Sequence, residues 1–310
     1  MTAKAVNGVL VLDKPEGKSS AWALAQVKRR LGARKAGHAG TLDPFATGVL
    51  VCCLGRATRL ARFFLHGHKR YEAVLKLGVE TDTQDPSGRI TASAPVPELS
   101  EADITAVFRR FEGEIDQEPP AYSALKQDGV PLYRLARAGR PVQKPPRKVR
   151  IQEIRLLNIA LPAVRFEVAC SAGTYIRTLC ADIGRVIGCG AHLKQLRRTV
   201  CNGFGIEEAV TLDRLSVEPS PEAALIQPAE ALRGMPSLMA DPETVDWIRN
   251  GKPLLAERLR PISRAGEEEI AGGYGDRYAK VLTPEGHLLA VIRSVDADSA
   301  VEYCCVFPEA

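Results

Sequence analysis

The sequence lacks several patterns that would place it in a membrane, secreted or metal-binding class. No apolar run approaches the length of a membrane-spanning helix. The amino-terminal residues show neither the long apolar core nor the cleavage site of a secretory signal peptide. None of the eight cysteines forms a C-x-x-C pair, and their spacing gives no sign of converging zinc ligands. We therefore expect a reduced cytoplasmic protein whose thiols are buried and which binds no metal.

Internal repeats and low-complexity tracts are also missing, and the composition is that of an ordinary globular protein. The 310 residues suggest about two domains. With 45% apolar and 25% charged residues, the chain can bury a substantial core. The net charge of +5 permits a nucleic-acid partner without requiring one. The position of the charges therefore matters more than their sum.

Hydrophobic periodicity predicts strands and helices along most of the chain. The predicted strands cover residues 8–12, 48–54, 71–77 and 164–170, with a further strand at Val149 and Ile151. The predicted helices begin at Ser19 or Ser20, Arg56, Ser100, Leu132 and Thr174, and Asp103 completes a capping box for the third. The glycine-rich residues 37–48 are predicted as a loop.

Two later segments differ from this pattern. Six prolines interrupt residues 117–147, which predicts an inserted surface arm with one short helix over residues 132–138. From about residue 235 to the end, the pattern predicts a small domain of short strands and turns. Its turn signals are Gly272-Gly273, Pro284 and Gly286.

The positive charge is concentrated in two fields. Between Lys28 and Arg70 there are ten Lys or Arg residues and one acidic residue, Asp43. Between Arg134 and Arg150 there are seven cations and no acid. One such run is usually a solvated face, but two nearly acid-free fields favour a polyanion, because phosphate contacts need dispersed positive surface.

Asp43 is the exception within the first field, and two interpretations apply to it. An Asp-Pro pair is typical of a turn. Alternatively, the surrounding cations keep the carboxylate ionised and suit it to nucleophilic or general-base chemistry at neutral pH.

The residues around Asp43 resemble the catalytic motif of one enzyme family. The segment GHAGTLDPFATGVL, residues 37–50, is similar to the motif of the bacterial tRNA pseudouridine-55 synthases, the TruB family. Further family-like segments are GVLVLDKPEGKSS, KRY before GVETDT, PPAYSALKQDGVPLYRLARAGRPV, SAGTYIRTL and LRRT. The resemblance is dense over about residues 7–205 and looser in the tail, where Asn250-Gly251 matches best.

The resemblance implies a pseudouridine synthase fold of the mixed α/β (α+β) type with an antiparallel-rich sheet. It implies a catalytic domain over residues 1–234, with an inserted RNA-binding arm at about residues 117–147, and a small β-barrel-like PUA RNA-binding domain over residues 235–310. The implied activity is isomerisation of the T-loop uridine at position 55 of tRNA after base flipping. No cofactor, metal, membrane or protein partner is implied, and a monomer is the default.

The resemblance also implies roles for particular residues. Asp43 supplies the catalytic carboxylate, Tyr71 stacks on the extruded uracil, and Arg177 forms an ion pair with Asp43. Substrate-binding roles fall to His38, Leu196, Lys69, Arg147 and Lys148. Structural alternatives stay open: Tyr71 and Leu196 as core residues, His38 as a hydrogen-bonded loop residue, and Arg177 as an exposed helix arginine.

Two rival functions are also compatible with the sequence. One is a relative that acts only with a guide RNA and partner proteins, against which the arm at residues 117–147 argues. The other is a non-catalytic RNA-binding or RNA-folding protein that keeps the scaffold. The presence of Asp43, Tyr71 and Arg177 argues against it.

Overall fold

The structure is a computed structural model that describes residues 6–255, 258–261, 278–293 and 301–308. The Gly272-Gly273 turn predicted from sequence lies outside the described residues. The strands in chain order are β1 Gly8–Lys14, β2 Ala36–Ala39, β3 Thr47–Leu54, β4 Lys69–Leu77, β5 Val79–Thr81, β6 Ile90–Ser93, β7 Gly113–Gln117, β8 Lys126–Gln127, β9 Val130–Pro131, β10 Arg147–Ala160, β11 Ala163–Cys170, β12 Ala191–Cys201, β13 Phe204–Gly205, β14 Ser237–Met239, β15 Arg260–Pro261, β16 Tyr278–Leu282, β17 Leu288–Arg293 and β18 Glu302–Val306.

The α-helices are α1 Ser20–Arg30, α2 Glu101–Arg109, α3 Leu132–Arg137, α4 Ile176–Ile187, α5 Leu212–Val217, α6 Pro228–Ala231 and α7 Pro242–Arg249. Short 3₁₀ helices cover Gly55–Phe64, Ile206–Glu208 and Pro221–Ala224. The chain divides into two compact units. The first consists of Met1–Pro44, Gly48–Gly67 and Cys201–Ala310, and the second of Phe45–Thr47 and His68–Val200.

In the first unit, β3 pairs antiparallel with β1 and with β2. Alternate residues of β1 and β3 face opposite sides: Leu10 and Leu50 pack with Val27 of α1, whereas Val11 packs with Phe64 of the 3₁₀ helix. Because both faces are covered, the two strands are almost continuously apolar in sequence. The strand predicted to end at residue 12 continues to Lys14.

The carboxyl-terminal part of the first unit forms a sheet with strand order β15-β14-β16-β17-β18, in which only β14 and β16 pair in parallel among the described strands. Val281 and Leu289 pack with Val245 of α7 in one cluster. Leu282 and Leu288 pack in another cluster that also contains residues of the 3₁₀ helix Gly55–Phe64. The prediction of strands and turns omitted α7, which begins with an Asp-Pro pair whose Asp241 caps the helix.

The second unit contains a sheet with strand order β12-β4-β11-β10-β7, and the pairings of β4, β11, β10 and β7 are antiparallel. Helix α2 begins with the predicted capping box of Ser100 and Asp103, and its Phe108 ring lies 5.3 Å from that of Phe166. Together with the first unit, this confirms the predicted mixed α/β class and its antiparallel-rich sheet.

The arm lies between β7 and β10 in the second unit. Its helix α3 ends one residue before the predicted end, at Arg137. The two-strand hairpin of β8 and β9 was not predicted, because its strands are two residues long and give no periodic signal. Leu132 and Ser123 of the arm are buried. The arm therefore has packed residues of its own rather than being exposed throughout.

Candidate active site

Asp43 lies in the first unit, in the short connection between β2 and β3, and is half-buried. Gly40 and Gly48 bound this connection with φ angles of 76° and 100°, which side chains other than glycine rarely adopt. The predicted loop over residues 37–48 is wrong at its start, because residues 36–39 form β2. His38 pairs there with Cys52 of β3, so the edge of an apolar strand overrides the low strand propensity of a glycine-rich segment.

The side chain of Lys14 binds the backbone of the Asp43 loop at the residue after Asp43. Its side chain is fully buried, and its Nζ donates hydrogen bonds to the carbonyl oxygens of Pro15 at 2.7 Å, Lys18 at 2.6 Å and Pro44 at 3.3 Å. A buried ammonium is stable only when its donors are satisfied in this way. In the sequence, the only signal for this role of Lys14 is its place in the family-like segment GVLVLDKPEGKSS.

Arg177 lies in the second unit, in the first turn of α4, and is 4% exposed. Its Nη1 donates to the carbonyl oxygen of Thr83 at 2.9 Å and its Nη2 to that of Tyr122 at 2.9 Å. The alternative of an exposed helix arginine is therefore wrong. The ion pair between Arg177 and Asp43 stays a prediction.

Asp85 is a charged neighbour of Arg177 that the sequence analysis did not single out. Its Oδ2 lies 3.5 Å from Nη1 of Arg177, and it is 5% exposed. Its Oδ1 accepts hydrogen bonds from Oγ1 of Thr83 at 2.7 Å and from the backbone N and Oγ of Ser87 at 2.9 and 2.5 Å. A buried ion pair needs such additional hydrogen bonds to offset desolvation. In the sequence, the only indication of a role for Asp85 is its position just after the family-like segment GVETDT.

Tyr71 lies on β4 opposite Val168 of β11 and is 6% exposed. It shares the buried face of the strand with Ala73 and Lys69, which is 7% exposed. Lys69 pairs in register with Cys170, and burial raises the pKa of that thiol to about 11 although Thr174, Lys69 and Arg198 oppose the shift. The structure thus places Tyr71 and Lys69 in a buried setting, which leaves both interpretations of Tyr71 open.

Leu196 lies on β12 and is 9% exposed. The next residue, Arg197, donates from Nη1 to Oγ1 of Thr47 at 3.3 Å. This contact joins two family-like segments, LRRT and the end of the Asp43 motif, within the second unit.

Arg147 and Lys148 lie where the arm returns to the sheet. The guanidinium of Arg147 lies 4.7 Å from the ring centroid of Tyr175 and donates to the carbonyl oxygen of Gly173. Nζ of Lys148 lies 2.6 Å from Oε1 of Glu114. This hydrogen bond raises the pKa of Lys148 and lowers the pKa of Glu114. Both cations therefore have partners within the protein.

A cleft of about 570 Å³ in the second unit is lined mainly by carboxylates rather than by cations. It is lined by residues that include Asp82, Asp116, Glu118, Asp182 and Arg185. Four carboxylates against one guanidinium repel phosphate, so this cleft does not suit an RNA backbone.

Among the described residues, no group of three or more His, Cys, Asp or Glu side chains is placed to hold a metal ion. In the same part of the chain, no helix is long and apolar enough to cross a membrane.

Comparisons with known proteins give consistent results. Residues 28–176 match the TruB family pseudouridylate synthase N-terminal domain, and residues 177–232 match the tRNA pseudouridylate synthase B C-terminal domain. A protein of Bordetella avium named tRNA pseudouridine synthase B is 52% identical over 232 residues, which cover 74% of this chain and 95% of the relative. A protein of the same name from Syntrophotalea carbinolica is 46% identical over 257 residues, which cover 82% and 84%.

Solved structures show the same fold. A Cbf5-Nop10-Gar1 complex matches with a TM-score of 0.73 and 27% identity, covering 96% of this chain and 84% of that one. An H/ACA RNP bound to a substrate RNA containing 2′-deoxyuridine matches with a TM-score of 0.72 and 25% identity, covering 97% and 86%.

The fold and these matches define the class as a pseudouridine synthase, an isomerase with a mixed α/β, sheet-rich core. The chain belongs to the TruB family of pseudouridylate synthases. The family and the enzyme class predicted from sequence are confirmed.

Proposed function

We propose that this enzyme converts the uridine at position 55 in the T loop of tRNA into pseudouridine, after flipping the base out of the loop. The observation that carries the proposal is the charge pattern around Asp43. It is the only acidic residue between Lys28 and Arg70, a stretch with ten cations. Such a stretch suits a phosphate backbone, and an acid within it is unfavourable for RNA binding unless it has a chemical task.

The reaction needs little besides a placed carboxylate. The bond between ribose C1′ and uracil N1 breaks, the base turns, and a bond forms between C1′ and C5. The hydrogen on C5 leaves as a proton and N1 gains one, so the product is an isomer. Asp43 is the proposed carboxylate, and attack on the base, attack on the sugar and abstraction of a sugar proton all remain compatible with it. The proposal includes no cofactor.

The remaining site residues take supporting roles in this proposal. Tyr71 stacks on the flipped uracil and Leu196 contacts the base, since base-modifying enzymes hold an extruded base between aromatic and apolar groups. Arg177 keeps Asp43 charged and oriented. Further contacts to the RNA come from His38, Lys69, Arg147 and Lys148.

The proposal also covers the organisation of the chain. We take residues 1–234 as the catalytic domain and residues 235–310 as a PUA-like RNA-binding domain. The five-stranded sheet β15-β14-β16-β17-β18 and its cluster around Val281 and Leu289 support a β-rich tail. Its RNA-binding role rests on the resemblance to the family. The enzyme acts as a monomer on a cytoplasmic RNA.

The structural comparison alone favours a second candidate function, that of an enzyme that acts only with a guide RNA and partner proteins. The two solved structures are a Cbf5-Nop10-Gar1 complex and an H/ACA RNP bound to a substrate RNA. This chain is 25–27% identical to them, but 52% identical to a relative named tRNA pseudouridine synthase B. The inserted arm also favours a stand-alone tRNA enzyme.

The test is tritium release from an unmodified tRNA transcript labelled at C5 of its uridines. The purified protein alone is expected to release one tritium per tRNA, and a matched transcript with cytidine at position 55 is expected to release none. Release that requires a guide RNA or added proteins would support the second candidate. Equal release from both transcripts would contradict the assignment to position 55.

A further inference from the structure

Two consecutive serines at the start of α1 have different partners. Ser19 is the helix N-cap, and its side chain accepts a hydrogen bond from the backbone N of Trp22 at 3.1 Å. Ser20 is 2% exposed and is not used as a cap. Its Oγ accepts from the backbone N of Leu42 at 2.8 Å and donates to the carbonyl oxygen of Leu42 at 2.9 Å. One buried hydroxyl thus satisfies both backbone groups of a single loop residue.

Leu42 directly precedes Asp43, so the two bonds act on the carboxylate through the backbone. The carbonyl of Leu42 belongs to the rigid peptide plane that also contains the backbone N of Asp43. Fixing both backbone groups of Leu42 therefore fixes the direction from which the chain enters Asp43. The Leu42 side chain, 3% exposed, adds packing to the same position.

The loop has a particular need for such a bond. Residues 40–46 lie outside β2 and β3, so their backbone groups are not part of a strand ladder. Buried backbone groups that lack a ladder must find other partners. Ser20 provides these partners for Leu42, the residue before Asp43. Lys14 donates to the carbonyl oxygen of Pro44, the residue after Asp43.

We propose that Ser20 is a positioning residue for catalysis, whose hydroxyl sets the orientation of the Asp43 carboxylate through the backbone of Leu42. This inference rests on the proposed function, in which Asp43 carries the reaction. A displacement of about 1 Å in a reacting group can lower a rate by about 100-fold. Loss of the Ser20 hydroxyl is expected to act on the rate of the chemical step rather than on tRNA binding.

The test compares Ser20→Ala with Ser19→Ala in the full-length protein. Both variants remove one hydroxyl from the start of α1, but only Ser20→Ala removes the bonds to Leu42. The measurements are the single-turnover rate of tritium release from the labelled tRNA transcript and the Kd for that tRNA, below the thermal transition of each variant. We expect Ser20→Ala to lower the rate roughly 10- to 100-fold with a Kd within about 2-fold of wild type. Ser19→Ala is expected to lower the thermal midpoint and leave the rate within about 2-fold.

A second variant and a direct readout cover the case in which Ser20→Ala does not fold. Ser20→Cys has a similar volume but a weak donor and acceptor, so it is expected to share the loss of rate. Hydrogen–deuterium exchange of a peptide containing residues 40–47 is expected to accelerate in both Ser20 variants, while the peptide from α1 stays protected.

The outcomes separate this inference from the function on which it rests. A wild-type enzyme that releases no tritium overturns the proposed function and this inference together. A wild-type enzyme that is active, with Ser20→Ala or Ser20→Cys within about 2-fold of its rate, overturns the inference alone. An equal loss of rate in Ser19→Ala and Ser20→Ala would also overturn it, because the effect would then follow from the stability of α1.

Discussion

The loop that carries Asp43 and the helix start that carries Arg177 are held in opposite ways. At Asp43 the neighbouring backbone is fixed, by Ser20 on the side of Leu42 and by Lys14 on the side of Pro44. The Asp43 side chain is half-buried. At Arg177 the side chain itself is fixed. Its guanidinium is buried and donates to two backbone carbonyls beside the carboxylate of Asp85.

This difference suggests different tasks for the two charges. A partly exposed carboxylate on a fixed backbone has a defined direction and keeps access to a substrate, as a reacting group needs. A buried guanidinium with bonded donors has a fixed position, as a supporting group needs. If the two regions differ in this way, loss of the Asp43 carboxylate should lower the rate more than any change around Arg177.

Replacing Asp43 with Asn is expected to abolish turnover. The amide preserves the shape and the backbone contacts of the loop but removes the charge that the proposed chemistry requires. We expect the single-turnover rate to fall by at least ~10⁴-fold while the Kd for tRNA stays within about 3-fold. Asp213→Asn, an exposed carboxylate in the same unit, is the control and should keep full activity. Residual activity of Asp43→Asn above a hundredth of wild type would show that another group carries the reaction.

Replacing Asp85 with Asn tests the supporting region. The amide oxygen can still accept from Thr83 and Ser87, but the charge beside the buried Arg177 is lost. Removing one partner of a buried ion pair costs about 3 kcal/mol of stability. We expect a lower thermal midpoint and a roughly 100-fold lower rate, because Arg177 then holds its position less well.

The control for Asp85→Asn is Asp82→Asn, an exposed residue of the same segment whose Oδ1 accepts from the backbone N of Arg89. It should lose little stability and no more than about 2-fold in rate. If the two variants behaved alike, Asp85 would have no special part in holding Arg177.

Much of the fold could be predicted because its signals are local. The strands β1 and β3 are continuous apolar runs, α1 has a serine cap, and α2 has a capping box. Asp43 could be singled out as the candidate carboxylate as well, because it is the one acid in a basic stretch and lies in a long family-like segment. In each of these cases the cause of the structure lies within a few residues of the element itself.

The rest could not be predicted because its causes are distant in sequence. β2 forms only because β3 offers a partner edge, and the pair of Arg177 and Asp85 exists only after folding. Ser20 is a similar case. A serine at a helix start is usually interpreted as a cap, and its bonds to Leu42 cannot be distinguished from capping in the sequence.

A side chain also binds the backbone close to Arg177, and its loss is expected to lower the rate less than the loss of the Asp85 charge. Gln117, which is 1% exposed, donates from Nε2 to the carbonyl oxygen of Tyr175 at 3.0 Å and accepts from its backbone N at 2.7 Å. Gln117→Leu removes both bonds at similar volume and is expected to cost about 2 kcal/mol of stability. Because the Arg177 guanidinium keeps its own partners, we expect only a roughly 10-fold loss of rate. Gln143→Ala, an exposed arm residue, is the control; a loss of 100-fold or more in Gln117→Leu would remove the contrast between the two regions.

The smallest expected effects concern the second basic field, where the question is which cations are available to RNA. Lys148 is paired with Glu114, whereas Arg140, three residues after the end of α3, is exposed. Each cation that neutralises a phosphate adds about one unit to the slope of log Kd against log salt. Arg140→Ala is expected to reduce that slope by about one unit and to weaken tRNA binding a few-fold.

Lys148→Ala is expected to change the salt slope less than Arg140→Ala if Lys148 stays with Glu114. Glu114→Gln should then strengthen tRNA binding by freeing Lys148. Equal slopes for Arg140→Ala and Lys148→Ala would mean that the ion pair opens when RNA binds, because a surface pair of this kind contributes little stability to oppose it.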